Sequence, residues 1–303
     1  HTLFTFLHFD ENLPVDRLND LLARGFTGLA FEWVQEAGRF PLLEPMSRLT
    51  GYLFAQKAAE LCSRHKGVLC ARHEDGLNEP AQALVIGCGQ IGLSVLRSCM
   101  RNGYGIHVVD KHPETLDDRI NQRFGTRGIR YVEDHGLQVI PFRVEEMERC
   151  LDGIRAVLPR MDNLFNCAVR RSDLPKSRLE FLVTAAMVST MGPGSVVCDT
   201  TACDRDLIET CVSSESLESS YLVDGVVHYN CDHLPSYVGR TSTMLLSDAL
   251  LPWVRRLAGG GTREAIQGSS ALRGAVCCRA GRLTLERAAV RKGLAWTDVG
   301  DLL

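Results

Sequence analysis

The segment Ala83-Leu84-Val85-Ile86-Gly87-Cys88-Gly89-Gln90-Ile91-Gly92 constrains the fold more than any other part of this 303-residue chain. A short apolar run, predicted as a buried strand, enters three glycines spaced G-x-G-x-x-G, and helical spacing follows from Gly92 to Arg101. Gly87 permits a tight turn, Gly89 lets backbone approach a pyrophosphate, and Gly92 lets helix and strand pack closely while the helix N-terminus faces the anion. The next predicted strand, Ile106 to Val109, runs into Asp110 about twenty residues beyond the turn, where a carboxylate can accept hydrogen bonds from an adenosine ribose diol. A glycine-rich turn without a ligand would need none of this register. Gly87, Gly89, Gln90, Ile91, Gly92 and Asp110 are therefore expected to bind a dinucleotide. An acid at this place repels a 2′-phosphate, so NAD is favoured over NADP. Lys111 and His112 soften that preference if their side chains turn inward.

The rest of the chain reads as alternating strands and helices. Leu3 to Phe9 is predicted as a buried strand, Val15 to Ala23 as a helix ending at Arg24-Gly25, and Phe26 to Trp33 as a second strand, a βαβ unit with parallel strands. Ser47 is placed to cap a long helix running toward Cys62. Further strands are expected at Gln138 to Ile140, Asn163 to Val169 and Ser195 to Asp199. Helices are expected from Pro175 to Thr190 and from Ser242 to Leu257, the latter broken at Gly259-Gly260-Gly261. The expected fold class is α/β, with two Rossmann-like domains: a doubly wound parallel sheet for NAD(P) over residues 45–245, and a discontinuous substrate domain from 1–44 and 246–303. The chain starts at His1 and enters an apolar run at once, so an earlier segment is expected to precede it.

Charge and composition exclude several classes. With 34 basic against 37 acidic residues and a formal charge of -3, there is no basic surplus for phosphate backbones, and no nucleic-acid partner is expected. At 45% apolar and 23% charged residues the chain has the means to fold compactly. No uninterrupted apolar run reaches bilayer length, so no membrane span is expected and a cytoplasmic location is. The twelve cysteines include no CxxC pair; Cys198, Cys203 and Cys211 lack zinc-site spacing, so reduced, buried thiols and no metal are expected.

Several stretches together resemble the alanine dehydrogenase family, which includes the nucleotide-binding part of proton-translocating transhydrogenase. They are Leu3-Phe4-Thr5-Phe6-Leu7-His8, Pro41-Leu42-Leu43-Glu44-Pro45-Met46-Ser47 with Gly51, the glycine turn, and Val223-Asp224-Gly225-Val226-Val227-His228-Tyr229 running on to Arg240-Thr241-Ser242-Thr243. In two places the chain departs from alanine dehydrogenases. Cys203-Asp204-Arg205-Asp206 stands where they carry Asp-Gln-Gly-Gly, and Asp232-His233-Leu234-Pro235-Ser236 where they carry Asn-Met-Pro. Both replacements resemble carboxyethylornithine synthase, an opine-forming relative, and the second also resembles saccharopine dehydrogenase.

The resemblance implies roles. His8 matches the family's acid/base, a task suited to imidazole near neutrality, although a lone histidine in an apolar strand is more often a core residue. Cys203 takes the place of the catalytic aspartate and substitutes poorly for a carboxylate, with Asp204 beside it. His233 and Asp232 fall where the family lines nicotinamide and substrate. Ser47 matches a serine near the cofactor phosphates, and Val169 and Leu234 complete the expected cofactor set. Arg240 is expected to hold a domain junction, and His228 and Tyr229 to be structural. The family's N-terminal lysine and arginine for the substrate carboxylate are expected in the segment before His1. The activity implied is NAD(P)H-dependent, opine-type condensation of a 2-keto acid with an amino acid, in a homo-oligomer. The alternatives are reductive amination with ammonia, as in alanine dehydrogenase, and a non-catalytic NAD-binding regulatory protein.

Overall fold

Strands β3 (Gln82–Ile86) and β4 (Gly105–Asp110) are short runs of β-branched and leucine residues, and alternate side chains enter opposite layers. Ala83 and Val85 pack with Phe54, Leu96 and Phe165 on one face, while Leu84 and Ile86 pack with Ile154, Leu164 and Val197 on the other. A strand apolar on both faces needs a cover on each, and helices supply it. The computed structural model describes residues 1–10, 13–71, 79–125, 128, 136–170, 173–201, 203–214 and 216–303. Its contacts divide the chain into two units, 47–239, and 1–46 with 240–303.

The 47–239 unit holds a seven-stranded sheet. Besides β3 and β4 it contains β5 (Leu137–Pro141), β6 (Asn163–Asn166), β7 (Val196–Asp199), β8 (Tyr221–Val223) and β9 (Val226–Tyr229), in the order β5-β4-β3-β6-β7-β9-β8. All neighbours are parallel except β8, which pairs antiparallel with β9 as an edge hairpin. This is the doubly wound order, and its switch point lies between β3 and β6. Helix α2 (Glu44–Lys66) packs against α3 (Gln90–Arg101) at Gly51, where any Cβ would press on the Ile91 carbonyl and Ser94. Helices α4 (Leu116–Phe124) and α5 (Met147–Val157) follow β4 and β5.

The other unit is built on a four-stranded sheet, β1-β2-β10-β11. Strands β1 (Thr2–Thr5) and β2 (Thr27–Ala30) are parallel and joined through α1 (Val15–Ala23). Strands β10 (Val276–Arg279) and β11 (Arg282–Leu283) then extend the sheet antiparallel. One side of its core gathers Leu29, Trp253 and Leu272, the other Phe9, Leu18 and Ala289. All twelve cysteines carry free thiols; ten are buried, and Cys167 and Cys203 are half-buried.

Three expectations need correction. The opening strand stops at Thr5, not Phe9, because the buried Glu32 carboxylate accepts from the Leu7 and His8 amides and ends the ladder. Ser47 is not an N-cap: α2 starts at Glu44, since Pro45 suits a first helical turn and needs no donor there. Pro175 to Thr190 contains only a short helix, Ala185–Val188. The Arg170 guanidinium takes the Leu174, Leu179 and Glu180 carbonyls that a longer helix would need, and Thr184 caps the remaining turn. The break predicted at Gly259-Gly260-Gly261 is present: the helical run Gly239–Gln267 is two helices that meet across a kink at Gly261, whose φ of 81° is not helical.

Candidate functional site

The glycine turn has the geometry its spacing predicts. Gly87 has φ +82°, in the left-handed region, and a Cβ there would stand 2.8 Å from that of Ala168. A Cβ on Gly92 would collide with the Gly87 carbonyl oxygen. Gly89 is the N-cap of α3 and offers no side-chain acceptor to the first-turn amides, and its chain neighbours aside, no atom of the described residues lies within 4 Å of where its Cβ would be. Open approach and uncapped amides fit an anionic phosphate at this helix start. The Gln90 side chain is held by Arg48 at 3.3 Å and by Arg123, which also donates to Ser94 at 3.0 Å. Two guanidiniums therefore stand beside the α3 N-terminus. Ile91 serves through its carbonyl, at the contact with Gly51.

A cavity of about 770 Å³ opens beyond the carboxyl ends of these strands, with Gly87, Gly89, Asp110, Lys111, Arg119 and Val169 on its walls. That volume suits a dinucleotide-sized ligand. Val169 is 60% exposed there, whereas Leu234 is 2% exposed and packs in the core. Asp110 is more heavily engaged than a ribose acceptor would be. Its Oδ2 accepts from the Cys88 amide at 2.8 Å, and its Oδ1 from the His112 amide at 2.8 Å and Arg119 Nη2 at 2.7 Å. Burial disfavours its charge, but Arg119 and the two amides outweigh it and hold the carboxyl below its ordinary range.

The substrate-side residues are distributed over separate segments. His8 lies beyond β1, exposed, with φ 49° and its amide donating to Glu32 Oε1 at 2.7 Å; its ring stacks on Phe6. A non-glycine residue held in this region costs free energy, and the buried Glu32 supplies the anchor. Asp204 accepts from the Ser213 amide and hydroxyl at 2.6 Å each, so its carboxylate braces its own loop. Those bonds hold it below the usual carboxylate range. Cys203 is half-buried in the same loop. Asp232 Oδ1 meets His233 Nδ1 at 2.5 Å on the surface. Cys231, Asp232 and His233 bring donor atoms within 4.8 Å of one another, and burial pushes the Cys231 thiol up. His228 and Tyr229 are buried in β9, and His228 meets Thr210 Oγ1 at 2.8 Å.

Three residues escape a reading of the sequence: Glu32, Arg119 and Asp199. Asp199 ends β7 and is 2% exposed. Its Oδ1 accepts from the Asn166 side chain at 3.2 Å and from the Thr201 amide and hydroxyl at 3.0 and 2.6 Å, while Oδ2 has no hydrogen-bond partner among the described residues. Burial raises its carboxyl to about 6. The available signal was an acid closing an otherwise apolar strand.

The family model for the alanine dehydrogenase/PNT C-terminal domain matches residues 55–286. The chain belongs to this family. An alanine dehydrogenase from Halomonas elongata is 31% identical over 317 residues, spanning 100% of this chain and 76% of its own length. That from Mycolicibacterium smegmatis is 32% identical over 307 residues, with the same coverage. A solved L-alanine dehydrogenase superposes on the whole chain with TM-score 0.77 at 25% identity, over 76% of its own length. The transhydrogenase from Sinorhizobium meliloti shares the fold, with TM-score 0.68 at 17% identity over 93% of this chain and 75% of its own. As a member of the alanine dehydrogenase/PNT family the chain is an amino-acid oxidoreductase with a Rossmann-type sheet. Among the described residues no helix is long and apolar enough to cross a membrane.

Proposed function

We propose that this protein is an NAD-dependent oxidoreductase acting on the CH–NH group of an amino acid, and that its amine partner is a second amino acid rather than ammonia. The observation that carries the finer part is the pair of replacements: Cys203 where alanine dehydrogenases have an aspartate, and the hydrogen-bonded Asp232–His233 pair where they have Asn-Met. A thiol does not stabilise a nearby cation as a carboxylate does, while an added acid and imidazole suit a longer, amine-bearing substrate.

In this reading the 47–239 unit holds the dinucleotide. The α3 amides and Gly89 receive the pyrophosphate, and Asp110 borders the ribose. NADH, when bound, supplies the hydride that reduces the imine carbon. His8 holds the proton exchanged with the substrate, and the Glu32 bond to its amide keeps its backbone in one conformation. A second reading, reductive amination with ammonium alone, is supported by relatives at 31% and 32% identity that are named alanine dehydrogenases.

The deciding experiment incubates the protein with NADH, pyruvate and either ammonium or a panel of amino acids, and identifies products by mass spectrometry. A secondary amine is expected. Free alanine made from ammonium would replace the opine-type reading with the second one. NADH binding with no product from any pair would overturn both and leave a regulatory protein. His8→Asn, which tolerates the left-handed backbone, should lower turnover by about a hundredfold or more while leaving the fold intact.

A further inference from the structure

We infer that Arg119 sets cofactor selectivity at the ribose: by pairing with Asp110 it cancels the charge that would repel a 2′-phosphate, so the site accepts NADPH alongside NADH. This rests on the dinucleotide reading above.

An acid at the end of the second strand excludes a 2′-phosphate by charge and selects a diol by accepting from both hydroxyls. Asp110 is poorly placed to do either. A carboxylate offers about four lone-pair positions, and the Cys88 amide, the His112 amide and Arg119 occupy three of them, leaving too few for a diol held by two hydrogen bonds. Its charge is matched at 2.7 Å by a guanidinium that is itself fixed. Arg119 Nη1 donates to the Cys88 carbonyl at 2.7 Å and Nη2 to the His112 carbonyl at 2.9 Å, tying α4 to both sides of the ribose edge.

The remaining charged groups on the cavity wall are of both signs. Lys111 and Arg143 line it beside Glu114, Glu145 and Asp173, and Glu114 meets His112 at 3.4 Å. Arg119 lines the cavity and remains partly accessible, with 27% of its side chain exposed. Its Nε donates to the Thr115 carbonyl at 3.4 Å, so of its five N–H groups one, on Nη1, remains to donate to a phosphate oxygen. The G-x-G-x-x-G turn alone predicts the opposite selectivity, because Arg119 lies on the following helix and outside the motif.

The test is titration of the full chain with NADH and NADPH by fluorescence, with ADP and 2′,5′-ADP as fragments that report on the ribose edge. Wild type is expected to bind NADPH within about tenfold of NADH, a gap of about 1.4 kcal/mol or less. Arg119→Gln should weaken NADPH by about tenfold relative to NADH, and Arg119→Lys, which keeps the charge, should retain the wild-type ratio. Asp110→Asn should shift the ratio toward NADPH. Wild-type discrimination against NADPH beyond tenfold overturns the inference, as does an Arg119→Gln ratio equal to wild type. If Arg119→Gln fails to fold by circular dichroism, the wild-type ratio and Asp110→Asn still decide it. Binding of neither dinucleotide would overturn the dinucleotide reading itself, a distinguishable result.

Discussion

Replacing Asp199 by asparagine should make the protein gain stability relative to wild type as pH rises from about 4 to about 6. The native carboxyl is raised from 3.8 to about 6 by burial, so the folded state holds this proton more tightly than the unfolded chain does. Stability is thus fully retained below the unfolded value, falls as pH rises from about 4 to about 6, and stays lowered above that window. Two pH units at about 1.4 kcal/mol each place the cost of ionising Asp199 near 3 kcal/mol. An asparagine oxygen can keep the bonds from Asn166 and Thr201, but its amide nitrogen would occupy the Oδ2 position, which has no hydrogen-bond partner among the described residues. That unpaired donor costs about 1–3 kcal/mol at every pH, so the informative quantity is the change with pH, not the absolute difference. Urea unfolding of both proteins, followed by circular dichroism between pH 4.5 and 8, should show the stability difference moving toward the variant by about 2 kcal/mol. A difference that stays flat across this range would refute the assignment of a strained buried carboxylate.

Gly92→Ala should abolish NADH binding and cost about 1–3 kcal/mol, because the added methyl must displace the Gly87 carbonyl; unaltered binding by fluorescence titration would contradict the turn geometry. Lys66→Met removes the ammonium that meets Asp162 at 2.7 Å and Ser195 at 2.8 Å, at the amino ends of β6 and β7. It should lower thermal stability by about 2 kcal/mol without changing the KM for NADH, and an effect on KM instead would point to a role in binding.

Those features of the site that depend on a few consecutive residues are legible in the sequence. The glycine turn is one: Gly87 needs a left-handed φ and Gly92 a bare α-carbon whatever the rest of the chain does. The helix expected at Pro175 to Thr190 failed because Arg170, outside that window, claims its carbonyls. Asp110 was found, but its partner Arg119 comes from the next helix, and a spacing rule for ribose acids carries no information about a cation that neutralises one. The order of the smaller sheet was equally hidden. Strand β2 is completed by β10, almost the full chain away, and such pairing leaves no local mark. His8 was singled out by resemblance, whereas its left-handed backbone and the Glu32 anchor emerge only when residues 24 apart in sequence meet.

The distribution of thiols turns the molecule into its own clock. Cys277 and Cys278 sit in β10 of one unit, and the other ten cysteines belong to residues 47–239. A buried sulfur is alkylated only during the moments when its surroundings open, at a rate set by how often they do. Pulse alkylation followed by peptide mapping would therefore time the opening of each unit independently, with no dye, tag or substitution introduced.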